Sequence, residues 1–154
     1  MIKSRCVFFF SSRRRHTRSS LVSWARRCVL RDRIEDGFAT QENCAFGVYS
    51  SVVSRGGEQR GILDAGSKTL TSDTGGLQGF GLILEHPDAR IHKFAEEHGF
   101  LDLSECANKP LVGDIVRVIP NHVCVAVNMV DQLVAVRDGQ IIDIIPIEAR
   151  GMLV

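Results

Sequence analysis

The chain has 154 residues, of which 44% are hydrophobic and 24% charged, and its formal net charge is +1. This length suits one ordinary domain, and the near-neutral charge gives no reason to expect nucleic acid or a membrane surface as a partner. No apolar stretch approaches the roughly 20 residues that a membrane-spanning helix needs. Five cysteines, odd in number and irregularly spaced, favour reduced thiols in the cytoplasm over a secreted disulfide framework.

The first 35 residues differ from the rest in charge. Arg and Lys crowd this part, above all in the run Arg13-Arg14-Arg15-His16-Thr17-Arg18, whereas Asp and Glu dominate afterwards. A mitochondrial presequence fits loosely, and a nucleic-acid-binding arm would lack aromatic residues within the run. The run also resembles translated adaptor sequence. We expect residues 1–35 to be a non-native or disordered basic segment and residues 36–154 to form the domain.

The next part of the chain reads as short strands separated by turn residues. Residues 44–54 and 61–65 are apolar runs that end at glycine or aspartate, and residues 77–84 form a glycine-containing strand that should bend. Residues 91–103 have an ambiguous period, although Gly99 argues against a long helix. Asp64 and Asp73 flank the Gly66-Ser67-Lys68 segment, where turn formation explains an aspartate well.

Strand patterns are clearer in the last third. Residues 114–119 alternate, and residues 122–130, with four valines, are strand-like. Residues 133–136 and 140–147 flank Asp138-Gly139, a strong hairpin signal. Pro146 should lie at an edge or at the end of its strand. The sequence therefore predicts an all-β fold, a small barrel or sandwich of five to seven strands.

The segment Pro120-Asn121-His122-Val123-Cys124 carries the best candidates for chemistry. In a strand, His122 and Cys124 would project from the same face, and imidazole nitrogen with thiolate sulfur is a donor set that suits zinc. Viewed alone, such a pair is more often a packed histidine and a buried, inert cysteine. Two ligands are also fewer than the three or four typical of zinc, so water, substrate or another domain would complete the shell.

Several ordered stretches resemble the C-terminal domain of D-serine dehydratase-like and D-threonine aldolase-like enzymes, of the alanine racemase-like fold type. They are Val52-Val53-Ser54-Arg55, Leu63-Asp64-Ala65-Gly66-Ser67-Lys68, Ser72-Asp73, Glu96-Glu97-His98-Gly99, Val112-Gly113-Asp114, Pro120-Asn121-His122-Val123-Cys124, Asn128 and Ala149-Arg150-Gly151. The resemblance implies that His122 and Cys124 are zinc ligands. It also implies the dehydratase branch, since the aldolase branch carries aspartate at the position of Cys124.

The same resemblance implies a longer parent enzyme. The family places an α/β barrel, which binds pyridoxal phosphate through a lysine, before this β domain, and eight βα units need about 250 residues. We therefore expect a fragment, inactive alone, of a homodimeric lyase that converts D-serine to pyruvate and ammonia. Glu97 and His98 are candidates to orient the metal shell or the substrate amine, or else form a solvated loop. Lys68 is not expected to be the cofactor lysine.

Two other interpretations stay open. The parent could be an aldolase or racemase of the same superfamily, releasing glycine from D-threonine-like substrates. Alternatively, the chain could be a non-catalytic β-barrel binding module with reduced core cysteines.

Overall fold

The computed structural model describes residues 34, 37, 40, 41 and 44–152. The prediction that residues 1–35 are non-native or disordered falls almost entirely outside the described residues. In chain order the elements are β1 (Val48–Arg55), β2 (Arg60–Leu63), α1 (Ser67–Leu70), β3 (Leu82–Ile83), β4 (Arg90–Phe94), β5 (Gly99–Asp102), β6 (Ile115–Ile119), α2 (Val123–Asn128), β7 (Gln132–Arg137) and β8 (Gln140–Pro146). No helix in this part of the chain is long and apolar enough to cross a bilayer.

Six strands form one antiparallel sheet in the order β3-β6-β1-β2-β5-β4. Its register follows from alternation, because successive side chains of a strand point to opposite faces. On β1, Val48, Ser50 and Val52 are buried while their neighbours are more exposed, and Val48 lies opposite Val118 of β6. The fully buried side chains come mostly from these alternate positions: Leu63, Leu70, Ile83, Ile91, Leu101, Leu103, Ile119, Val48, Val52, Val116 and Val118.

The two edges of this sheet approach each other, so that it is nearly a barrel. The Phe80 N–H, just before β3, donates to the carbonyl oxygen of Ile91 on β4 at 3.1 Å. The Phe80 and Phe94 rings pack with their centroids 4.6 Å apart. Gly79 permits the approach, because it adopts a φ of +72° and a Cβ there would lie 2.9 Å from the Ile91 oxygen. The predicted all-β fold is confirmed, and the main sheet has six strands.

A separate two-stranded hairpin, β7–β8, follows the main sheet. Asp138 and Gly139 connect its strands, and both have positive φ, 51° and 77°, as the two central residues of a type I′ turn require. Leu133 of β7 joins the core cluster, whereas every residue of β8 is exposed. The hairpin prediction is confirmed, and Pro146 is the last residue of its strand as expected.

The prediction of a strand over residues 122–130 is wrong, since Val123–Asn128 is a helix. Ala126 is buried, and Val123, Val127 and Val130 pack against the core. These positions follow the i, i+3, i+4, i+7 spacing of an amphipathic helix, but the abundance of valine favoured a strand. Packing on the core therefore overrides β propensity here.

Two other segments differ from a simple strand reading. The glycine-rich stretch 77–84 is a strand only at Leu82–Ile83, because Gly79 and Gly81 both have positive φ and turn the chain. Residues 91–103, ambiguous in sequence, contain the antiparallel pair β4–β5, in which Ile91 lies opposite Leu101.

Candidate functional site

Residues 120–122 join β6 to α2 and lie against the loop formed by residues 71–81, called here the 71–81 loop. Asn121 is only 1% exposed, and its Nδ2 donates to the carbonyl oxygens of Thr74 at 2.9 Å and Gly79 at 2.8 Å. A buried amide with satisfied donors holds a fixed geometry, because breaking either bond leaves a polar group unpaired. Asn121 therefore anchors the 71–81 loop beside His122.

His122 is hydrogen-bonded to the same loop. Its Nδ1 contacts Oδ2 of Asp73, while Oδ1 of Asp73 accepts the Gly75 N–H at 2.9 Å. The bond to His122, followed by the Gly75 N–H, lowers the pKa of Asp73. An ionised carboxylate only accepts hydrogen bonds, so we assign the proton of this contact to Nδ1. The other ring nitrogen, Nε2, is then left to bind a ligand or a proton.

The start of the 71–81 loop is strained. Thr71 is buried and has φ 68° and ψ 153°, a region in which residues other than glycine are rare. In this conformation its Oγ1 accepts the N–H of Asp73 at 3.0 Å. The bend at Thr71 thus fixes the backbone of the residue that contacts His122.

Cys124 is exposed and is the second residue of α2. The expected arrangement, with His122 and Cys124 on one face of a strand, is wrong because α2 is a helix and His122 is the extended residue that precedes it. Helical positions advance by about 100° each, so residues two apart diverge around the axis. The assignment of both residues as metal ligands stays a prediction.

The donor set fits zinc in chemical type, as imidazole and thiolate are its common ligands. The two donors are, however, fewer than the three or four protein ligands typical of a zinc site. Among the residues that the structure describes, no group of three or more His, Cys, Asp and Glu side chains is arranged to hold a metal ion. Any ion at His122 and Cys124 would need further ligands from water, substrate or another domain.

Glu97 and His98 lie in the turn between β4 and β5, and both are exposed. Glu97 is paired with Lys68, Oε1 to Nζ 2.8 Å, and this hydrogen bond raises the pKa of Lys68. The turn is tied to α1, since the Ser67 and Lys68 N–H groups donate to the carbonyl oxygens of Ala95 and Glu96 at 3.0 and 3.1 Å.

Helix α1 joins the two groups of candidates. Its first residues hold the turn that carries Glu97 and His98, and its last residue, Leu70, leads directly into Thr71 and Asp73. Helices α1 and α2 also contact each other. The sequence predicted that Asp73 forms a turn, which its bond to Gly75 confirms. The sequence did not predict its contact with His122, since 49 residues separate the two.

The fold and sequence match known proteins. A family described as a putative serine dehydratase domain matches residues 45–136. An uncharacterized protein of Mycobacterium tuberculosis is 42% identical over 123 residues, 77% of this chain and 92% of that protein. D-threonine aldolase of Arthrobacter sp. is 38% identical over 116 residues, 75% of this chain but only 29% of the aldolase.

Solved structures agree in fold. D-threonine aldolase from Filomicrobium marinum superposes with a TM-score of 0.63 at 29% identity, over 71% of this chain and 29% of that one. A D-threo-3-hydroxyaspartate dehydratase variant superposes with a TM-score of 0.64 at 21% identity, over 74% of this chain and 34% of that one. This chain therefore belongs to the putative serine dehydratase domain family.

Proposed function

We propose that this domain supplies the metal-holding part of the active site of a pyridoxal phosphate-dependent lyase. Its substrates would be D-amino acids with a hydroxyl group on the β-carbon, and its reaction the conversion of D-serine to pyruvate and ammonia. The observation that carries the proposal is the fixed orientation of His122 by Asp73, in a chain 38% identical to D-threonine aldolase and 30% identical to 3-hydroxy-D-aspartate aldolase. D-threonine and 3-hydroxy-D-aspartate, the compounds in these two enzyme names, both carry an amino group and a β-hydroxyl group.

In this proposal, Nε2 of His122 and the thiolate of Cys124 hold zinc. Bound there, zinc would supply Lewis acidity toward the substrate hydroxyl, and pyridoxal phosphate would supply an electron sink for the α-carbon. The chain's own part is to present two donors on a rigid support and to leave positions of the shell open. An open shell is what a catalytic zinc site needs, because the substrate must reach the ion.

The described residues offer no convincing place for pyridoxal phosphate. Lys68 is exposed, and in the family resemblance it belongs to the motif of this β domain and not to the barrel that carries the cofactor lysine. The cofactor would instead be bound by a barrel domain, in the same polypeptide or in another, and the whole enzyme would be a homodimer. The matched region makes up 29% of the Arthrobacter aldolase, which leaves room for such a domain in that protein. It spans 92% of the Mycobacterium tuberculosis relative, for which the barrel would have to come from another polypeptide.

Glu97 and His98 are proposed to act on the substrate from the β4–β5 turn. His98 is exposed, so its ring is accessible to a bound substrate. Glu97 would bind the substrate amine in place of Lys68, because an ion pair between exposed groups is worth only about 0–1 kcal/mol and is easily exchanged.

Aldol cleavage is the second candidate, and one observation favours it. Relatives with 38% and 30% identity to this chain are named as aldolases. Against it stands Cys124, which the family resemblance places in the dehydratase branch. The products separate the two reactions, since dehydration of D-serine yields pyruvate and ammonia while cleavage of D-threonine yields glycine and acetaldehyde.

Zinc binding by the purified chain is the first test. We expect roughly one zinc per chain after dialysis, and loss of that zinc in His122→Ala and in Cys124→Ala. Cys44→Ala is the matched control, because Cys44 is partly buried and lies outside the proposed site. Equal zinc content in all four proteins would contradict the metal-ligand assignment.

Turnover is the second test, in a chimera in which residues 45–152 replace the matching part of the Arthrobacter aldolase. We expect pyruvate from D-serine with pyridoxal phosphate and zinc present, and its loss when His122→Ala is introduced. Glycine from D-threonine without pyruvate would favour the aldolase. Full turnover in both the His122→Ala and Cys124→Ala chimeras would refute the proposed site.

A further inference from the structure

We infer that Asp73 is a positioning residue that holds the His122 ring in the tautomer with its proton on Nδ1. In the neutral ring, Nε2 then carries the lone pair and is directed away from the 71–81 loop. The inference rests on the proposed function only where it concerns metal. The orientation and tautomer of the ring follow from the contacts of Asp73 alone.

Asp73 is fixed from three sides. Its N–H donates to Oγ1 of Thr71 at 3.0 Å, its Oδ1 accepts the N–H of Gly75 at 2.9 Å, and its Oδ2 meets Nδ1 of His122. A turn aspartate needs only the bond to Gly75. The second carboxylate oxygen is therefore available to the histidine without any loss to the turn.

Asn121 and His122 both form hydrogen bonds to the 71–81 loop, which contains Asp73. Asn121, next to His122 in sequence, donates to the carbonyl oxygens of Thr74 and Gly79, which lie on either side of Gly75 in the same loop. The 71–81 loop thus contacts two consecutive residues, one through its backbone and one through Asp73. A shift of the 71–81 loop would therefore disturb the hydrogen bonds of both Asn121 and His122.

The backbone strain at Thr71 belongs to the same arrangement. A threonine at φ 68° and ψ 153° is unfavourable by itself, and such a conformation persists only where the surroundings impose it. Thr71 is 5% exposed, and its hydroxyl holds the Asp73 N–H. The strain is concentrated at the residue that places Asp73.

The chemistry explains what the contact does. A carboxylate has no proton to give, so the hydrogen bond forms only when Nδ1 carries one. A metal ligand or general base must offer a lone pair, and the tautomer leaves that lone pair on Nε2. Metal-binding histidines commonly donate their second ring N–H to such a carboxylate, whose removal weakens metal binding about 10–100-fold.

The variant Asp73→Asn is the sharpest probe, because asparagine keeps the size of the side chain and the acceptor for Gly75. Its amide would turn an N–H toward Nδ1 and so favour the opposite tautomer. Asp102→Asn is the matched control. Asp102 accepts the N–H of the residue two positions on, Ser104, at 3.1 Å in the same way. It is the last residue of β5, whereas His122 directly precedes α2.

The first measurement is the ring tautomer, from ¹⁵N–¹H correlation spectra at about pH 8.5, above the ordinary histidine pKa of about 6.5. The His122→Ala variant identifies the resonance. We expect the Nδ1–H form in the unmodified chain and in Asp102→Asn, and the Nε2–H form in Asp73→Asn. An Nε2–H ring in the unmodified chain would overturn the inference, even if Asp73→Asn did not fold.

The second measurement is zinc affinity by calorimetric titration with the metal alone. We expect Asp73→Asn to weaken binding about 10–100-fold and Asp102→Asn to leave it within twofold. If His122→Ala abolished binding while Asp73→Asn left it unchanged, the proposed zinc site would stand and the positioning role would fall. If the unmodified chain bound no zinc but Asp73→Asn still switched the tautomer, the positioning role would stand and the zinc site would fall.

Discussion

Gly66 lies where helix α1 meets the β4–β5 turn, and the variant Gly66→Ala tests that packing directly. A Cβ at this position would lie 2.4 Å from the carbonyl oxygens of Ala95 and Glu96 and 2.5 Å from the backbone nitrogen of His98. All three atoms belong to backbone, so no flexible side chain can move aside to relieve the overlap.

The size of the effect follows from two terms. Forcing an extra carbon into a packed site costs about 1–3 kcal/mol. The displaced turn would also weaken the hydrogen bonds from Ser67 and Lys68, at about 1 kcal/mol each. Reduced freedom of the unfolded chain returns at most about 1 kcal/mol. We therefore expect a loss of about 2–4 kcal/mol, or at least about 8 °C in Tm for a domain of this size.

The assay is thermal and urea denaturation followed by circular dichroism, with Gly56→Ala as the control. A Cβ on Gly56 would meet only Cβ of Arg60, at the ordinary contact distance of 3.8 Å. Gly56→Ala should lie between no change and about 1 kcal/mol of stabilisation. A Tm for Gly66→Ala within about 2 °C of the unmodified chain would refute the packing argument, since a real overlap with backbone must lower stability by more than that.

Two further predictions follow from the hydrogen bonds. Asn121→Ala removes both amide bonds to the 71–81 loop and should lower the unfolding free energy in urea by about 1–3 kcal/mol, whereas exposed Asn108→Ala should not; equal midpoints would contradict an anchoring role. The Ser104 hydroxyl and N–H, and then Arg90, lower the pKa of Asp102. A lowered folded pKa gives stability that is present above the unfolded pKa and lost as pH falls through the folded value. The Tm gap between the unmodified chain and Asp102→Asn should therefore be larger at about pH 7 than at about pH 2, and a gap independent of pH would count against this assignment.

Strand β8 of the hairpin is exposed along its whole length. Ile141, Ile142 and Ile144 are each more than half exposed, on both faces of the strand. Single exposed apolar residues are ordinary, but a contiguous group of them commonly marks an interface. The exposed isoleucines of β8 therefore form a candidate contact surface.

Local sequence determined the β class and several of its elements. The alternation in residues 114–119 predicted a strand, and β6 lies there with Val116 and Val118 buried. Asp138-Gly139 predicted its hairpin turn, because few other residue pairs adopt two positive φ angles in succession. These features depend on neighbours a few residues away, so a linear pattern suffices to show them. The ordered motifs likewise indicated the family that the comparisons confirm.

Only the tertiary structure decided the features that depend on contacts between segments distant in sequence. Val123–Asn128 form a helix because Ala126 and its valine neighbours pack on the core of the six-stranded sheet. A local preference cannot indicate where that surface lies. The contact between Asp73 and His122 needed two segments 49 residues apart to meet. The spacing of His122 and Cys124 predicted that their side chains project from the same face of a strand. In the structure, His122 precedes helix α2 and Cys124 lies in its first turn, so the two do not share a strand face. His122 is instead hydrogen-bonded to Asp73 of the 71–81 loop, a contact that no sequence pattern could have specified.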